Sequence, residues 1–270
     1  VTTIMTDFLK RIADDRRRRI AEASAHTPGH ALRSRLGRIE PAGRLERALR
    51  RGHSNDPLKL LCEIKRASPS KGTLREDLDP VAIAKVYERG GAAAISIVTE
   101  PDHFRGDLEW VNRVRPETRL PILLKDFVLD SYQIVDAAAR RADGVLLLAA
   151  LLNGIQLQRL ITEARLVGLD CLVEVHTLEE LTRSLRAGAT LIGINNRDLS
   201  TFEVDLDTSV RLLPHVPPLV TAVAESGLST PAHLARLRAT RCDAVLVGEA
   251  LMTSADLAQT LAALAAAARG

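Results

Sequence analysis

Glu63 and Lys65 stand two residues apart at the end of an apolar run, Leu60-Leu61-Cys62-Glu63-Ile64. On a strand that spacing points both side chains to the same side, so an acid and a base share one face. Ser68, Ser70 and Gly72 follow within the next seven residues, supplying hydroxyls and a pliant backbone suited to an anion. Read alone, the pair could equally be a surface ion bridge, which is common and worth little. Other polar residues, ionisable or amide, close other apolar runs: Lys125 after Pro121-Ile122-Leu123-Leu124, Glu174 in Val173-Glu174-Val175-His176, and the amide Asn195 in Gly193-Ile194-Asn195-Asn196-Arg197-Asp198. Glu225 precedes Ser226-Gly227, and Gly248-Glu249 follows Val245-Leu246-Val247. Burying unpaired charge is costly, so ionisable groups at so many apolar run ends point to one shared site. The chemistry within reach of such a set is proton transfer on an anionic metabolite. Lys125 is the sharpest candidate. Burial beside a second cation such as Lys65 is expected to push its pKa down and make it a general acid; a Schiff-base lysine is the alternative. The two glycine-bearing turns, Ser226-Gly227 and Gly248-Glu249, suit a phosphate, because glycine lets backbone N–H groups approach its oxygens.

These residues need a frame that brings strand ends together. Eight apolar runs are expected as strands: 60–65, 93–98, 121–125, 144–148, 170–174, 191–195, 219–225 and 244–248. Continuous rather than alternating runs such as Ile95–Val98 and Val145–Leu148 imply strands buried on both faces. Helical patterns lie between them at 80–89, 131–140, 154–167, 178–187, 208–213 and 231–239, and an Ala-rich one closes the chain at 255–269. Thr177 reads as an N-cap with Glu180 completing a capping box, and Thr230-Pro231 as an N-cap followed by proline at the first helical position. Alternating β and α units over residues 49–270 predict an α/β fold, a (β/α)₈ TIM barrel, whose active site lies at the C-terminal ends of its strands. Residues 1–48 read as a helical extension packed on that barrel. It comprises an amphipathic helix over 7–24 with Phe8, Leu9, Ile12 and Ile20 on one side, a break at Thr27-Pro28-Gly29, and a second piece at 43–51. Within it the run Asp14-Asp15-Arg16-Arg17-Arg18-Arg19 is expected to be a solvated face rather than a nucleic-acid patch, since no aromatic residue interleaves it.

Composition narrows the class. The 270 residues carry a net charge of +3 and 46% hydrophobic residues with only 3% aromatics, so branched aliphatics must build the core. The mild charge fits an anionic small molecule and does not call for nucleic acid. Three scattered cysteines, without C-x-x-C, suit a reducing cytoplasm, the expected location. No run approaches the ~18 apolar residues of a membrane span, and no export signal is read at the start.

Taken in order, Glu63–Gly72, Leu124–Phe127, Val145–Leu152, Leu172–His176, Gly193–Leu199, Ala224–Gly227 and Val247–Met252 resemble the indole-3-glycerol-phosphate synthase family, from about residue 45 to the C-terminus. The resemblance implies a carboxy-lyase of tryptophan biosynthesis. It would close 1-(2-carboxyphenylamino)-1-deoxyribulose 5-phosphate to indole-3-glycerol phosphate with loss of CO₂ and water. It implies Lys125 as general acid, Lys65 as assisting acid and anion partner, Glu63 and Glu174 as candidate bases, and Asn195 and Ser226 as orienting donors. Glu225 would act as a hydroxyl partner or from behind the site. Ser68, Gly227, Gly248 and the backbone of Glu249 would hold the phosphate, and Phe104, Phe127, Leu146 and Arg197 would surround the anthranilate. The scheme calls for no metal and no organic cofactor, and the chain is read as a monomer whose partner is an anionic phosphate substrate. Two departures from the family pattern stand out. Leu124 replaces an arginine common before the lysine, and Arg140-Arg141 replaces a helix-ending glycine, at an expected cost of up to about 1 kcal/mol. A phosphoribosylanthranilate isomerase-like barrel would want Cys and Asp at strands 1 and 5, where Lys65 and Glu174 stand. A non-catalytic scaffold should have lost one of Lys65, Lys125 or Glu174.

Overall fold

The computed structural model describes residues 7–53, 55–199 and 201–270. Eight parallel strands close into a barrel in sequence order: β1 (Lys59–Ile64), β2 (Ala94–Val98), β3 (Ile122–Lys125), β4 (Gly144–Leu148), β5 (Asp170–Val175), β6 (Leu191–Asn195), β7 (Thr221–Glu225) and β8 (Ala244–Val247), with β8 pairing back to β1. The expected strands are therefore all present. The largest difference is at β7, which begins two residues later than expected: Leu219 is 80% exposed, because Pro217 and Pro218 hold the chain in a turn before the ladder.

Alternation along each strand sorts the side chains. Leu61, Leu123, Leu146, Leu172, Leu191, Val223 and Leu246 point inward and fill the barrel, while Cys62, Leu124, Val145, Val173, Ile192 and Val245 pack outward under the helices. Leu124 thus belongs to the outer core, as its place beside Lys125 predicts. Two residues beyond an inward aliphatic comes the same face again. Glu63, Lys125, Glu174, Asn195 (two beyond Gly193), Glu225 and Gly248 accordingly lie at the C-terminal mouth.

The helices are α1 (Asp7–His26), α2 (Gly29–Arg33), α3 (Arg44–Leu49), α4 (Pro80–Arg89), α5 (Glu109–Val114), α6 (Ser131–Ala139), α7 (Gly154–Leu166), α8 (Leu178–Arg186), α9 (Asp207–Leu212), α10 (Pro231–Arg238), α11 (Glu249–Met252) and α12 (Leu257–Arg269). Neither α2, α5 nor α11 is legible as a periodic run, each being six residues or fewer. The helix α3 plugs the bottom of the barrel. Leu45 and Leu49 are fully buried against the inward leucines, and Asp170 at the foot of β5 accepts the Leu45 and Glu46 N–H groups at 2.9 and 3.0 Å. That carboxylate caps α3 from another element, satisfying donors that α3's own Gly43 cannot. Gly144 makes room for the plug, since a Cβ there would lie 2.6 Å from Leu45.

Four helices end alike. Gly91, Arg141, Gly168 and Gly188 all have positive φ (82°, 62°, 81° and 89°), and in each case the next residue's N–H returns to a carbonyl five residues back. This is the Schellman arrangement, and Arg141 alone takes it without being glycine. The capping box expected at Thr177 is only half formed. Thr177 accepts the Glu180 N–H at 3.1 Å, but the Glu180 carboxylate turns to His176 instead.

Candidate active site

At the C-terminal mouth lies a cavity of about 540 Å³. Its walls include Glu63, Lys65, Ser68, Phe104, Lys125, Phe127, Leu146, Glu174, Asn195, Arg197, Ser226, Gly227, Gly248 and Glu249. Every site residue expected from the sequence is there except Glu225, which is fully buried one layer beneath the cavity.

The centre is a chain of alternating charges. Lys65 Nζ lies 2.7 Å from Glu63 Oε1, and Lys125 Nζ lies 3.0 Å from Glu63 Oε2 and 3.2 Å from Glu225 Oε2. Burial opposes ionisation of Glu63, but Lys125 and Lys65 together outweigh it and hold the carboxyl down at about 2. Glu225 has one lysine and sits near Glu174. Its burial dominates and pushes the carboxyl up to about 7, with Oε1 left without a hydrogen-bond partner. Lys125 departs from the sequence expectation. Burial does favour its neutral form, yet Glu63, Glu225 and Glu174 surround it and raise its pKa, so it stays charged at neutral pH. Spacing along the chain offers only Lys65 as a neighbour, whereas the closed barrel gathers three carboxylates around Lys125 and reverses the sign.

Two glycines give these carboxylates their places. A Cβ on Gly248 would overlap Glu63 Oε1 and lie 3.0 Å from its Cβ and Cδ, and one on Gly193 would overlap Glu225 Oε1. Glu174 is held differently. It accepts the Asn195 amide at 3.0 Å from Nδ2, while Asn195 Oδ1 accepts the Arg197 N–H at 2.9 Å. No lysine lies within ion-pair distance of Glu174 among the described residues.

On the other side of the cavity the turns after β7 and β8 approach the first loop. Ser226 and Gly227 both have positive φ, 64° and 75°, a strained conformation for serine of the sort that collects at functional sites. A Cβ on Gly227 would strike Val204. The first loop is a small hairpin, with Ala67–Ser68 paired to Gly72–Thr73, rather than the open flexible loop its polar composition suggests. It turns Ser68 inward, where the hydroxyl is buried and without a hydrogen-bond partner. Glu249 opens α11, and its carboxylate faces Arg197 at 3.4 Å and Lys71 at 3.8 Å.

Sequence reasoning missed part of the wall. All four phenylalanines of the chain, Phe8, Phe104, Phe127 and Phe202, line this cavity. Phe104 and Phe127 lie 6.1 Å apart between ring centroids, and Phe8 meets Phe202 edge to face at 5.1 Å. In a chain so poor in aromatics their scarcity was the available signal. Phe8 and Leu9 come from α1, so the extension forms part of the site. The charged run on that helix is a solvated face, as expected, at every position but one. Arg16 is 7% exposed and reaches Asp126, with Nη2 3.1 Å from Oδ2 and Nε 3.0 Å from Oδ1. Asp126 also accepts from Thr99 Oγ1 and from the Phe127 N–H, at 2.8 and 2.7 Å. Arg17, Arg18 and Arg19 pair with Asp14, Asp15 and Asp102, so the run offers no unopposed positive patch. Among the described residues no helix is long and apolar enough to cross a membrane, and no cluster of three His, Cys, Asp or Glu could hold a metal ion.

Comparison with known proteins then places the chain. The family model described as indole-3-glycerol phosphate synthase matches residues 9–264. Proteins of that name from Carboxydothermus hydrogenoformans and Salinibacter ruber are 41% and 44% identical to it, each over 264 residues. These alignments cover 96% of this chain in both cases, and 100% and 95% of the relatives. One from Dehalococcoides mccartyi is 47% identical over 204 residues, 74% of this chain and 79% of its own. Among solved structures, 3-hexulose-6-phosphate synthase from Salmonella typhimurium superposes with a TM-score of 0.63 at 14% identity, over 78% of this chain and 98% of that one. That likeness concerns the barrel alone.

Proposed function

Because this chain belongs to the indole-3-glycerol phosphate synthase family, we propose that its barrel mouth closes the indole ring with Lys125 as general acid and Glu174 as general base. The activity is that of the family, a carboxy-lyase step of tryptophan biosynthesis. It converts 1-(2-carboxyphenylamino)-1-deoxyribulose 5-phosphate to indole-3-glycerol phosphate, CO₂ and water.

The observation that carries the assignment is the position of Lys125, facing the cavity while Glu63 and Glu225 grip it from behind. A ring carbon of the anthranilate attacks the ketone carbon, and the carbonyl oxygen gathers negative charge. Lys125, held charged, has its proton in place to give. The carboxylate then leaves as CO₂ and its bonding pair restores the aromatic ring. In the last step the new hydroxyl departs as water with a proton from Lys65, and a base removes a proton from the methylene carbon beside nitrogen. Glu63 suits that base poorly, because two lysines hold it ionised at about 2 and occupy both its oxygens. Glu174 lines the cavity, accepts one amide hydrogen bond on Oε1, and has no lysine among the described residues within ion-pair distance. Glu174 is therefore the better base.

The remaining walls serve binding. The Ser68 hydroxyl lacks a protein partner, and the Glu249 and Ala250 N–H groups open α11 without intrahelical acceptors. With Gly227 and Gly248 they suit the phosphate, while Lys71 and Arg197 turn the Glu249 carboxylate aside. Phe8, Phe104, Phe127, Phe202 and Leu146 give the anthranilate an apolar slot, and Lys65 stands near enough to the ionised mouth to meet its carboxylate.

Purified protein given the carboxyphenylamino substrate should release one CO₂ per indole formed, followed by indole fluorescence and gas detection together. Glu174→Gln should accumulate a decarboxylated species that has not lost water. Glu63→Gln blocked at that same stage, with Glu174→Gln turning over freely, would reverse the assignment of the base.

A further inference from the structure

Behind Glu174 stand two groups that ring closure as derived above leaves unused. His176 lies just beyond β5, two residues after Glu174. Its Nε2 is 3.4 Å from Glu174 Oε1, and its Nδ1 is 3.3 Å from Glu180 Oε2. The same Glu180 oxygen accepts the His176 backbone N–H at 2.7 Å. This is where the carboxylate goes that leaves the capping box at Thr177 half formed. Glu180 is only 4% exposed, and a buried carboxylate is drawn from its usual helix-capping bond only to meet another polar group. His176 Nε2 is itself buried without a well-formed hydrogen bond. The imidazole forms no part of the cavity wall, yet 15% of the side chain remains exposed.

The surroundings favour a positive charge on the ring. Burial works against it, but Glu180 on α8, Glu174 on β5 and Glu225 on β7 all face it and raise its pKa. Glu180 is in turn held ionised against its own burial by His176 and, from one turn along α8, by Arg183. The line Glu174–His176–Glu180 thus runs from the cavity outward: a carboxylate, an imidazole able to carry a proton, and a carboxylate that stabilises it once carried.

We propose that His176 is the positioning residue that resets Glu174, passing each proton taken from substrate to solvent. The proposal rests on Glu174 as the base of the dehydration. Glu174 takes the proton as a C–H bond breaks. The electron pair stays with the substrate and expels the hydroxyl, which leaves as water with the proton from Lys65. The proton on Glu174 then moves to Nε2 and forms an imidazolium, with Nδ1–H held by Glu180. Because Nε2 is buried, the imidazolium gives its Nδ1 proton to solvent by way of Glu180. Exchange of the remaining ring proton restores the Nδ1–H form, and Glu174 is an anion again. Nothing is oxidised or reduced.

A relay that resets the base is needed for the second turnover, not the first. The test is stopped-flow indole formation by His176→Gln. A burst of about one product per active site is expected, followed by a steady rate at least tenfold below wild type, with KM within about twofold. Added imidazole should restore the steady phase. In wild type, kcat should fall on the acid side above the ordinary histidine pKa of about 6.5. That limb should vanish in His176→Gln but persist in Glu225→Gln, which removes the other group that titrates near neutrality. Glu180→Gln, which keeps the fold's shape, should slow the steady phase in the same way but less. An unchanged kcat in His176→Gln, or a fall with no burst and no imidazole rescue, would overturn the relay. Free turnover by Glu174→Gln would overturn the underlying choice of base instead.

Discussion

Gly248→Ala puts the arrangement of the charged centre to a quantitative test. The added methyl would overlap Glu63 Oε1 and press on its Cβ and Cδ at 3.0 Å. Since one of the crowded atoms is the Cβ, turning the carboxylate alone cannot relieve the clash, and the backbone of β1 or β8 must give. Overfilling a packed core costs about 1–3 kcal/mol. Glu63 also moves off Lys65 and Lys125. Its fall from 4.5 to about 2 corresponds to about 3 kcal/mol of preference for the ionised form, part of which is forfeited. We expect a loss of roughly 2–4 kcal/mol in all, seen as a melting temperature lower by roughly 5–15 °C. With Lys125 no longer gripped, kcat/KM should fall about 100-fold, the order of a misplaced acid. The assay is thermal denaturation beside steady-state indole formation. Gly37→Ala is the control, because nothing lies within 4 Å of a Cβ there. Gly193→Ala sharpens the comparison. Its Cβ meets mainly the far end of Glu225, which can swing, so activity should suffer more than stability. Wild-type melting and turnover in Gly248→Ala would refute the reasoning that this turn makes room for the acid.

Arg141→Gly should stabilise the protein by about 0.5–1 kcal/mol in denaturant melts, with turnover unchanged, because it relieves a left-handed residue remote from the mouth. Asp126→Asn leaves Arg16 buried without its counter-charge and should cost about 3 kcal/mol, with kcat reduced through the shifted Lys125–Phe127 segment; an unchanged melt would mean the pair is solvated after all. Glu225 has a folded-state pKa near 7, above the unfolded 4.5, so the native state holds the extra proton between those values. Wild-type stability relative to Glu225→Gln should therefore fall as pH rises from about 4.5 through 7, by up to about 3 kcal/mol, measured as paired urea melts across pH.

Much of this molecule can be read from one-dimensional spacing. The inward aliphatics recur every second residue, and the next inward position at each strand's end is the polar residue of the site, so strand period and site are one signal. What the spacing could not carry is three-dimensional company. Lys125 looked like a lysine beside a cation, and only the closed barrel brings Glu63, Glu174 and Glu225, from three other strands, around it. Arg16 sits in a run whose neighbours are half-buried or exposed, so one buried member leaves no mark in the pattern. The hairpin at Ala67–Thr73 is too short for alternation to register. Glu180 fitted the capping-box spacing, and nothing in sequence separates a carboxylate that turns to the N-cap from one that turns to a histidine one residue earlier.

The central claim is that Lys125 delivers the proton on which ring closure depends. Its most direct test is Lys125→Met, which keeps most of the length of the side chain and removes the charge, with Lys65 left to hold Glu63. Binding of indole-3-glycerol phosphate is measured by fluorescence titration and product formation by single turnover. The account predicts affinity within a few-fold of wild type and a single-turnover rate lower by at least 100-fold. A rate near wild type in a variant that folds and binds would contradict it.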